Sequence, residues 1–408
     1  MSTAGDPSSE KAGMSEKPIR IGYCLSLTGG LASNGKTARL AHEIWAEGVN
    51  HRGGLLGRKV EMVCVDDETN PKLVLDIYKR LLDVEQVDLL IGGYGDNSVA
   101  PAMPLVMARK RYLVAVMALA VNATLNYPNY FVMIPTGPHP PAALTEGFFE
   151  LAALQAPKPQ TLAILAADAP FSQAPIQGAK GHAAKHGFSV VSEQLYPLST
   201  TDFAAYIDRL GSIKPDIVFF CSYLNDSAGL IRAISHSTFE PKLVGGAMIG
   251  PQNGSIKTQL GPLLNGVLNY EYWLPVPALM YPGVAELIAE YQSRAQDFGA
   301  DPLGYYVAPQ AYAQMQVIEQ AIIGTHSLED DKLAEFTRNA LFKTVVGDVK
   351  FGTAGSWSEA RVLQVQYQNI RSGDLSSFKD PSTQVVVWPP DLASGSLVYP
   401  YASAKQSR

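Results

Sequence analysis

Cysteine, basic charge and long apolar runs are all scarce in this sequence, and each shortage excludes a class of protein. Only three cysteines occur in 408 residues (Cys24, Cys64 and Cys221), each within an apolar run and without CxxC or metal-ligand spacing. This pattern predicts buried free thiols and no metal site. The net charge of −6 offers no basic surface for nucleic acid. Because no 18 apolar residues run together, no membrane insertion is predicted.

The length and the first residues bound the organisation of the chain. A chain of 408 residues with 47% hydrophobic residues predicts two domains with sizeable cores. Its first 17 residues, MSTAGDPSSEKAGMSEK, are small and polar and predict a disordered leader. They lack the charged-then-apolar pattern of a secretory signal. Either a secretory signal has been removed or replaced, or the protein is cytoplasmic because this leader is native.

The segment from Pro18 to Glu68 has the pattern of a strand, a helix and a second strand. Ile21 to Leu27 is a buried apolar run, the residues after it show helical apolar spacing, and Val60 to Val65 is a second apolar run. A right-handed crossover makes the two strands parallel. Such sheets bind ligands beyond the carboxyl ends of their strands. The loop from Thr28 to Gly35 is therefore the first candidate site.

The same loop satisfies the phosphate-binding P-loop pattern G-x-x-x-x-G-K-[ST] through Gly30, Gly35, Lys36 and Thr37. A functioning P-loop would wrap phosphates with backbone N–H groups, with Lys36 on the terminal phosphates and Thr37 on Mg²⁺. The four intervening residues include no further glycine, which favours an ordinary glycine-rich turn. A P-loop nucleotide hydrolase is therefore the remote alternative.

The rest of the chain continues the same order of strand, loop and helix in two rounds. A third strand ends in the loop Gly92 to Ser98, and the next strand is followed by the loop Ala118 to Asn126. Prolines between Pro135 and Pro141 mark a predicted crossing to a second lobe. A strand from Gln160 to Ala166 begins the second round there. Alternating apolar residues after Val349 predict hairpin strands.

Several of these stretches resemble the branched-chain amino acid (Leu/Ile/Val) type of ABC transporter substrate-binding protein, which has the type I periplasmic-binding-protein fold. The matching segments, in family order, are IRIGYCLSLTGGLASNGKTARLAHEIW, NHRGGLLGRKVEMVCVDDETNP, VDLLIGG, STTDFAAYIDRLGSIKPDIVFF, VVGDVKFGTAG and VVVWPPDLASG. They extend from about residue 18 to 398. In that family the first loop contacts the ligand, so the P-loop match is interpreted as a coincidence.

The resemblance implies an α/β fold of two doubly wound parallel-sheet lobes joined by three crossovers. A ligand would be trapped between the lobes by hinge closure. The implied N-terminal lobe covers residues 18–137 and 271–348, the C-terminal lobe covers residues 138–270 and 349–385, and an extended tail covers 386–408. The resemblance further implies a small organic ligand, the permease subunits of an ABC transporter as partners, and no cofactor.

Matching the loops residue by residue places the implied site on both lobes. The implied ligand-binding residues are Asn34, Tyr94, Asp96, Asn97, Ser98, Ala118, Leu119, Phe171, Tyr223, Ala247 and Met248. Amino-acid binders of this type hold the ligand's α-carboxylate with two hydroxyl residues and its ammonium with an acid, whereas Asp96, Leu119 and Ala247 occupy those places here. A buried charge that loses its partner costs about 3–5 kcal/mol. We therefore expect a largely apolar or aromatic acid or amide, or an amino-acid-like molecule, rather than leucine, isoleucine or valine.

Three functions from different classes remain: a transport receptor, a cytosolic sensor similar to amide-sensing regulators, and an enzyme. No set of nucleophile and base is evident, so no catalytic residue is predicted. The histidines that fall on predicted helices or turns are expected to be exposed: His42, His51, His182, His186, His236 and His326. The solute receptor of an ABC importer is the predicted function.

Overall fold

The first lobe is built on a five-stranded parallel sheet. A computed structural model describes residues 15–119 and 121–405. The strands are β1 (Ser15–Leu25), β2 (Arg58–Asp66), β3 (Leu89–Tyr94), β4 (Leu113–Met117) and β5 (Tyr130–Val132), in the order β2-β1-β3-β4-β5. The helices are α1 (Ala32–His51), α2 (Pro71–Asp83), α3 (Asp96–Val99), α4 (Met103–Ala108) and α5 (Val121–Leu125), with α11 (Val284–Phe298), α12 (Ala308–Thr325) and α13 (Asp330–Asn339) from later in the chain.

The second lobe is built on a seven-stranded mixed sheet. Its strands are β6 (Thr161–Ala167), β7 (Ser189–Tyr196), β8 (Ile217–Ser222), β9 (Leu243–Met248), β10 (Leu268–Glu271), β13 (Leu363–Tyr367) and β14 (Gln384–Trp388), in the order β14-β13-β10-β9-β8-β6-β7. Its helices are α6 (Pro140–Ala153), α7 (Pro170–His186), α8 (Ala204–Ile213), α9 (Leu224–His236), α10 (Gly254–Leu260) and α14 (Tyr401–Lys405). A separate hairpin pairs β11 (Phe342–Thr344) with β12 (Gly347–Val349).

The strand order reverses direction once in each sheet. β1 lies between β2 and β3, and β6 lies between β7 and β8. Because parallel crossovers are right-handed, the helices that connect strands before and after this reversal cover opposite faces of each sheet. The residues of β3, β4 and β5 are accordingly buried throughout, as expected for a sheet covered on both faces. The predicted α/β fold of two doubly wound lobes is confirmed, as are the hairpin strands β13 and β14.

Three crossovers join the lobes, and one arginine contacts all of them. The chain leaves the first lobe after β5, returns after β10 and leaves again after β12. Thr136 on the first crossover forms an antiparallel bridge with Ala360 on the third, and the Arg361 N–H donates to the Pro135 carbonyl at 2.8 Å. The Arg361 guanidinium lies 5.4 Å from the ring centroid of Tyr281 on the second crossover. Arg361 therefore fastens the three hinge segments together.

Two predicted boundaries differ from the structure. β1 begins at Ser15, so residues 15–17 belong to a strand, and the rest of the predicted leader lies outside the described residues. β14 continues to Trp388, so the tail boundary predicted at residue 386 falls inside a strand of the sheet. The tail packs on the second lobe, where the Tyr401 N–H donates to the Lys242 carbonyl at 2.8 Å. The other domain boundaries remain predictions.

The three cysteines are free, and Cys24 and Cys221 are buried. Cys64 is only partly buried, which differs from the expectation. In the pairing of β1 with β2, Tyr23 lies opposite Cys64 and Cys24 lies opposite Val65. Successive side chains of a strand point to opposite faces. Cys24 and Cys64 therefore lie on different faces of the sheet, where they cannot form a disulfide bond.

A buried histidine joins the helices to the sheet of the first lobe, in contrast to the expected exposure. The Nε2 atom of His42 lies 2.9 Å from the Oε1 atom of Gln314. The Gln314 amide donates to the carbonyl groups of Gly92 at 3.0 Å and Val114 at 2.6 Å. Gln314 therefore accepts from His42, which must carry its proton on Nε2. Burial lowers the pKa of His42 to about 4, so the ring is neutral at pH 7.

We expect the pH dependence of stability to report this histidine. Its pKa falls from an ordinary 6.5 to about 4 on folding, so the unfolded chain takes up the proton first. The stabilisation is complete above pH 6.5 and is lost as the pH falls towards 4, by about 3 kcal/mol over that window. Urea unfolding of the wild type and of His42→Gln at several pH values measures this loss, which the variant should lack.

The control for this prediction is His139→Gln, because His139 is exposed and its side chain makes no capping hydrogen bond to α6. This variant should keep the wild-type pH dependence. Equal slopes for the wild type and His42→Gln between pH 6.5 and 4.5 would contradict the assignment of a neutral buried imidazole.

Candidate ligand-binding site

A cavity lies between the two lobes at the carboxyl ends of the strands. Its volume is about 610 Å³ including its open mouth. The lining residues lie at or after the ends of β1, β3, β4 and β5 in one lobe and of β6, β8, β9 and β10 in the other. This is where a doubly wound sheet is expected to bind ligands, and here two such edges face each other.

The wall from the first lobe is formed by the ends of β3 and β4. Tyr94 is the last residue of β3 and reaches the cavity. Gly95 follows at φ 89°, a left-handed conformation that favours glycine, and its N–H donates to the Met117 carbonyl at 2.7 Å. This turn brings the Asp96 carboxylate over β4, where its Oδ1 atom accepts from the Leu119 N–H at 2.8 Å. The hydrogen bond to the Asp96 carboxylate thus links the loop after β3 to the loop after β4.

The wall from the second lobe is aromatic and aliphatic. Phe171 lies in the first turn of α7, and Tyr223 directly precedes α9. Their rings pack edge to face with centroids 5.7 Å apart, an arrangement that aromatic pairs prefer. Pro170 and Ile249 complete this wall. It offers broad apolar faces and a single phenolic hydroxyl.

The floor of the cavity consists of three tyrosines that lie where the chain returns to the first lobe. Tyr270 is in β10, Tyr272 follows it, and Tyr306 precedes α12. The rings of Tyr272 and Tyr306 stack with centroids 5.5 Å apart, and the hydroxyls of Tyr270 and Tyr306 lie 3.4 Å apart. Tyr94 meets Tyr306 edge to face at 6.2 Å. These rings connect the two walls.

The electrostatics of the cavity are set by one carboxylate. Asp96 is the only charged residue among the described residues that line it. Burial raises the pKa of Tyr94 to about 12. The pKa of Tyr223 is also raised, chiefly by burial and to a smaller extent by the negative charges of Asp226 and Asp96. Both phenols therefore remain protonated at neutral pH, where each can donate one hydrogen bond.

The structure brings seven of the eleven predicted residues into this cavity: Tyr94, Asp96, Asn97, Ala118, Leu119, Phe171 and Tyr223. Asn34 lines a smaller adjoining cavity instead. Ser98 turns away from the cleft, and its hydroxyl donates to Asp67 Oδ2 at 2.6 Å. Ala247 and Met248 remain inside the buried strand β9, and Ile249 is the first residue beyond that strand to reach the cavity.

Sequence reasoning missed the cavity residues that come from the crossovers. Tyr270, Tyr272 and Tyr306 line the cavity, but the family match contained no motif for them. The signal available was the density of aromatic residues at Tyr270–Trp273 and at Tyr305–Tyr306. Since these two stretches are separated by more than 30 residues, local pattern alone does not bring them together.

Two hydrogen bonds across the smaller adjoining cavity hold the lobes together. Asn253 caps the first turn of α10 in the second lobe. Its side-chain amide donates to the Ser33 hydroxyl on α1 at 2.6 Å. The Gly254 N–H donates to the Asp301 carboxylate, whose other oxygen accepts from the Gly304 N–H at 2.7 Å. Burial raises the pKa of Asp301. These bonds can form only while the lobes are close together, so they belong to a closed arrangement.

The P-loop-like residues form an ordinary helix start. α1 begins at Ala32, so the Gly35 N–H donates to the Leu31 carbonyl at 3.0 Å and is engaged within the helix. A Cβ atom on Gly35 would lie 1.9 Å from the Ser26 carbonyl oxygen, so close packing requires this glycine. The Thr37 hydroxyl donates to the Ser33 carbonyl at 2.8 Å and accepts from Tyr291 at 3.0 Å. Neither group is available to hold phosphate or Mg²⁺.

We expect Mg²⁺–ATP not to bind and Lys36→Ala to leave the affinity for the cleft ligand nearly unchanged. The reason is that the Gly35 N–H and the Thr37 hydroxyl are already bonded within the protein. Calorimetry with ATP and with a cleft ligand measures both, with Tyr94→Ala as the variant that should weaken the cleft ligand. Micromolar ATP binding that Lys36→Ala abolishes would overturn this assignment.

Comparison with known proteins agrees with this architecture. A family model described as periplasmic binding protein matches residues 18–369. The chain belongs to the periplasmic binding protein family. The Leu-, Ile-, Val-, Thr- and Ala-binding protein of Pseudomonas aeruginosa is 24% identical over 349 residues, which are 84% of this chain and 88% of the relative. The predicted resemblance is therefore confirmed, and members of this family are binding proteins.

Solved structures of the periplasmic binding protein family share the fold. A solute-binding protein of an ABC transporter from Rhodopseudomonas palustris has a TM-score of 0.73 at 18% identity and covers 87% of this chain and 94% of its own. A branched-chain amino acid transporter substrate-binding protein from Streptococcus pneumoniae has a TM-score of 0.73 at 13% identity, with 94% and 100% covered. At such identities the similarity shows the type I fold alone.

Proposed function

We propose that this periplasmic binding protein is the solute receptor of an ABC importer and captures a small, largely apolar or aromatic molecule. The aromatic cavity between the lobes carries this proposal. A ligand there would exchange water for faces of Phe171, Tyr223 and Tyr306, at about 25 cal/mol per Å² of apolar surface buried. The proposed receptor binds its ligand without catalysing a reaction, acts in the periplasm and delivers the ligand to permease subunits.

The ligands of relatives and structural neighbours support this class of ligand and include both aliphatic amino acids and aromatic acids. The Pseudomonas aeruginosa relative is named for leucine, isoleucine, valine, threonine and alanine. Two Rhodopseudomonas palustris neighbours were solved with 3,4-dihydroxybenzoic acid and with benzoate. No observation in residues 15–119 and 121–405 favours a cytosolic sensor or a nucleotide hydrolase, and none of the helices there is long and apolar enough to cross a membrane.

The three branched-chain amino acids fit this cleft poorly. Asp96 and Leu119, which stand where amino-acid binders place hydroxyl residues, both line the cavity. A ligand carboxylate at that place would lie beside the Asp96 carboxylate, and two like charges sharing a desolvated site repel. Ala247 no longer contributes to this argument, because it lies within β9 and away from the cavity. Leucine is therefore disfavoured by residues of the first lobe alone.

Binding and closure follow from the position of the rings. Tyr94 and Leu119 belong to one lobe, and Phe171 and Tyr223 belong to the other. A ligand that contacts both walls binds the closed arrangement more tightly than an open one, and this difference in affinity is what shifts the population towards closure. The Asn253–Ser33 and Gly254–Asp301 hydrogen bonds then form across the cleft. Closure presents the joined lobes to the permease as one surface.

We expect Tyr94→Ala and Tyr223→Ala each to weaken ligand binding by about 2 kcal/mol or more, the scale of a well-packed aromatic anchor. Each truncation removes a ring from a different lobe, so both variants should lose affinity although the residues are far apart in sequence. A thermal-shift screen over a metabolite panel identifies the ligand, and calorimetry with that ligand measures the change.

The matched control is Tyr206→Ala, because Tyr206 is a partly buried tyrosine of the second lobe that packs on Tyr196 and Phe203, outside the cavity. Its substitution should leave ligand affinity unchanged. Sub-micromolar leucine binding that persists in Tyr94→Ala and Tyr223→Ala would place the ligand elsewhere and refute the proposal.

A further inference from the structure

We propose that the ligand is an organic cation, a small aromatic or branched amine, for which the cleft forms an aromatic cage around Asp96. This inference rests on the proposed receptor function, because it names the charge of the molecule held at the same site. It departs from the acids, amides and amino-acid-like molecules that the sequence analysis named, because it requires a charged nitrogen group and excludes a free carboxylate.

The cavity has an unusual density of aromatic rings. The rings are those of Tyr94, Phe171, Tyr223, Tyr270, Tyr272 and Tyr306. They occupy both walls and the floor, with neighbouring centroids 5.4–6.4 Å apart. The face of each ring carries the negative part of its quadrupole, which attracts a cation, and rings grouped in this way are a recurrent site for ammonium ligands. An apolar amine could contact several faces at once.

The charge of the lining has the sign that a cation requires. Asp96 contributes one negative charge, and no lysine, arginine or histidine is among the described residues of the lining. A ligand carboxylate would therefore enter a desolvated space that contains a like charge and no cationic side chain, which is costly. An ammonium group in the same space would pair with the carboxylate. The sign of the ligand charge thus decides between repulsion and attraction.

Three backbone donors of the lining residues are already bonded within the protein. In the first lobe the Leu119 N–H donates to the Asp96 carboxylate at 2.8 Å and the Gly95 N–H donates to the Met117 carbonyl at 2.7 Å. In the second lobe the Ile249 N–H donates to the Ser222 carbonyl at 3.0 Å. An anion could use these three groups only by displacing their bonds, whereas a cation leaves all three bonds in place.

Matched molecules that differ only in headgroup charge test the inference. One series is benzylamine, benzamide and benzoate, and the other is 3-methylbutylamine, 3-methylbutanamide and 3-methylbutanoate. Calorimetry at pH 7.4 with the wild-type chain should show that the amine of a series binds at least about tenfold more tightly than its amide, which corresponds to 1.4 kcal/mol. The carboxylates should show no saturable binding.

Asp96→Asn removes the negative charge of the side chain and keeps its shape. Asparagine keeps a carbonyl oxygen to accept from the Leu119 N–H, so the loop should stay folded, and a thermal melt checks this. The preference for amine over amide should fall by about tenfold or more, while the amide affinity should change less than threefold. Asp168→Asn is the control, because Asp168 is exposed and outside the lining, and it should keep the wild-type preference.

Two outcomes would overturn the inference. If benzoate or 3-methylbutanoate binds most tightly and Tyr223→Ala abolishes that binding, the ligand is an acid, and the receptor function stands without the cationic specificity. If no member of either series binds at millimolar concentration, an amine of this size is rejected, and the receptor function is judged separately by the metabolite screen.

Discussion

The strands of a parallel sheet all run in one direction, and the rest of this structure depends on that constraint. It places every loop that follows a parallel strand at the same edge of its sheet, whatever residues the loop contains. Because each lobe has one such edge and the two edges face each other, residues as distant in sequence as Leu31 and Ile249 line one cavity. The topology therefore provides the location of the site, and the side chains at the strand ends provide its chemistry.

Those side chains could be predicted where the loop is short and directly continues a strand. Tyr94 and Leu119 lie at the ends of β3 and β4, where the apolar runs of the sequence stop, so counting along each run locates them. The same counting failed at Ser98, four residues after Tyr94. Gly95 turns the chain into the helix α3, and this rotates Ser98 towards Asp67. It also failed in β9, which extends to Met248 before Ile249 reaches the cleft.

The floor of the cleft could not be predicted, because its geometry is set by packing between distant segments. Tyr272 and Tyr306 are stacked, but they lie on either side of a 15-residue helix and meet only when the second crossover returns to the first lobe. Burial of His42 has the same origin, since its partner Gln314 is on α12. A helical residue with polar neighbours in sequence is expected at the surface until a later helix covers it. Local sequence thus specifies strands and their ends, and long-range packing specifies what covers them.

The contacts of Arg361 also determine how the hinge can move. Three crossovers without contacts to one another would let the lobes twist, slide or bend independently. With Pro135 bonded to the backbone of Arg361 and Tyr281 beneath its guanidinium, the three crossovers are tied together at one place, so a rotation of the lobes must bend all three at once. A small angle at this place becomes the largest displacement at the outer rims of the lobes. A partner that contacts those rims would therefore meet different surfaces on the open and the closed cleft.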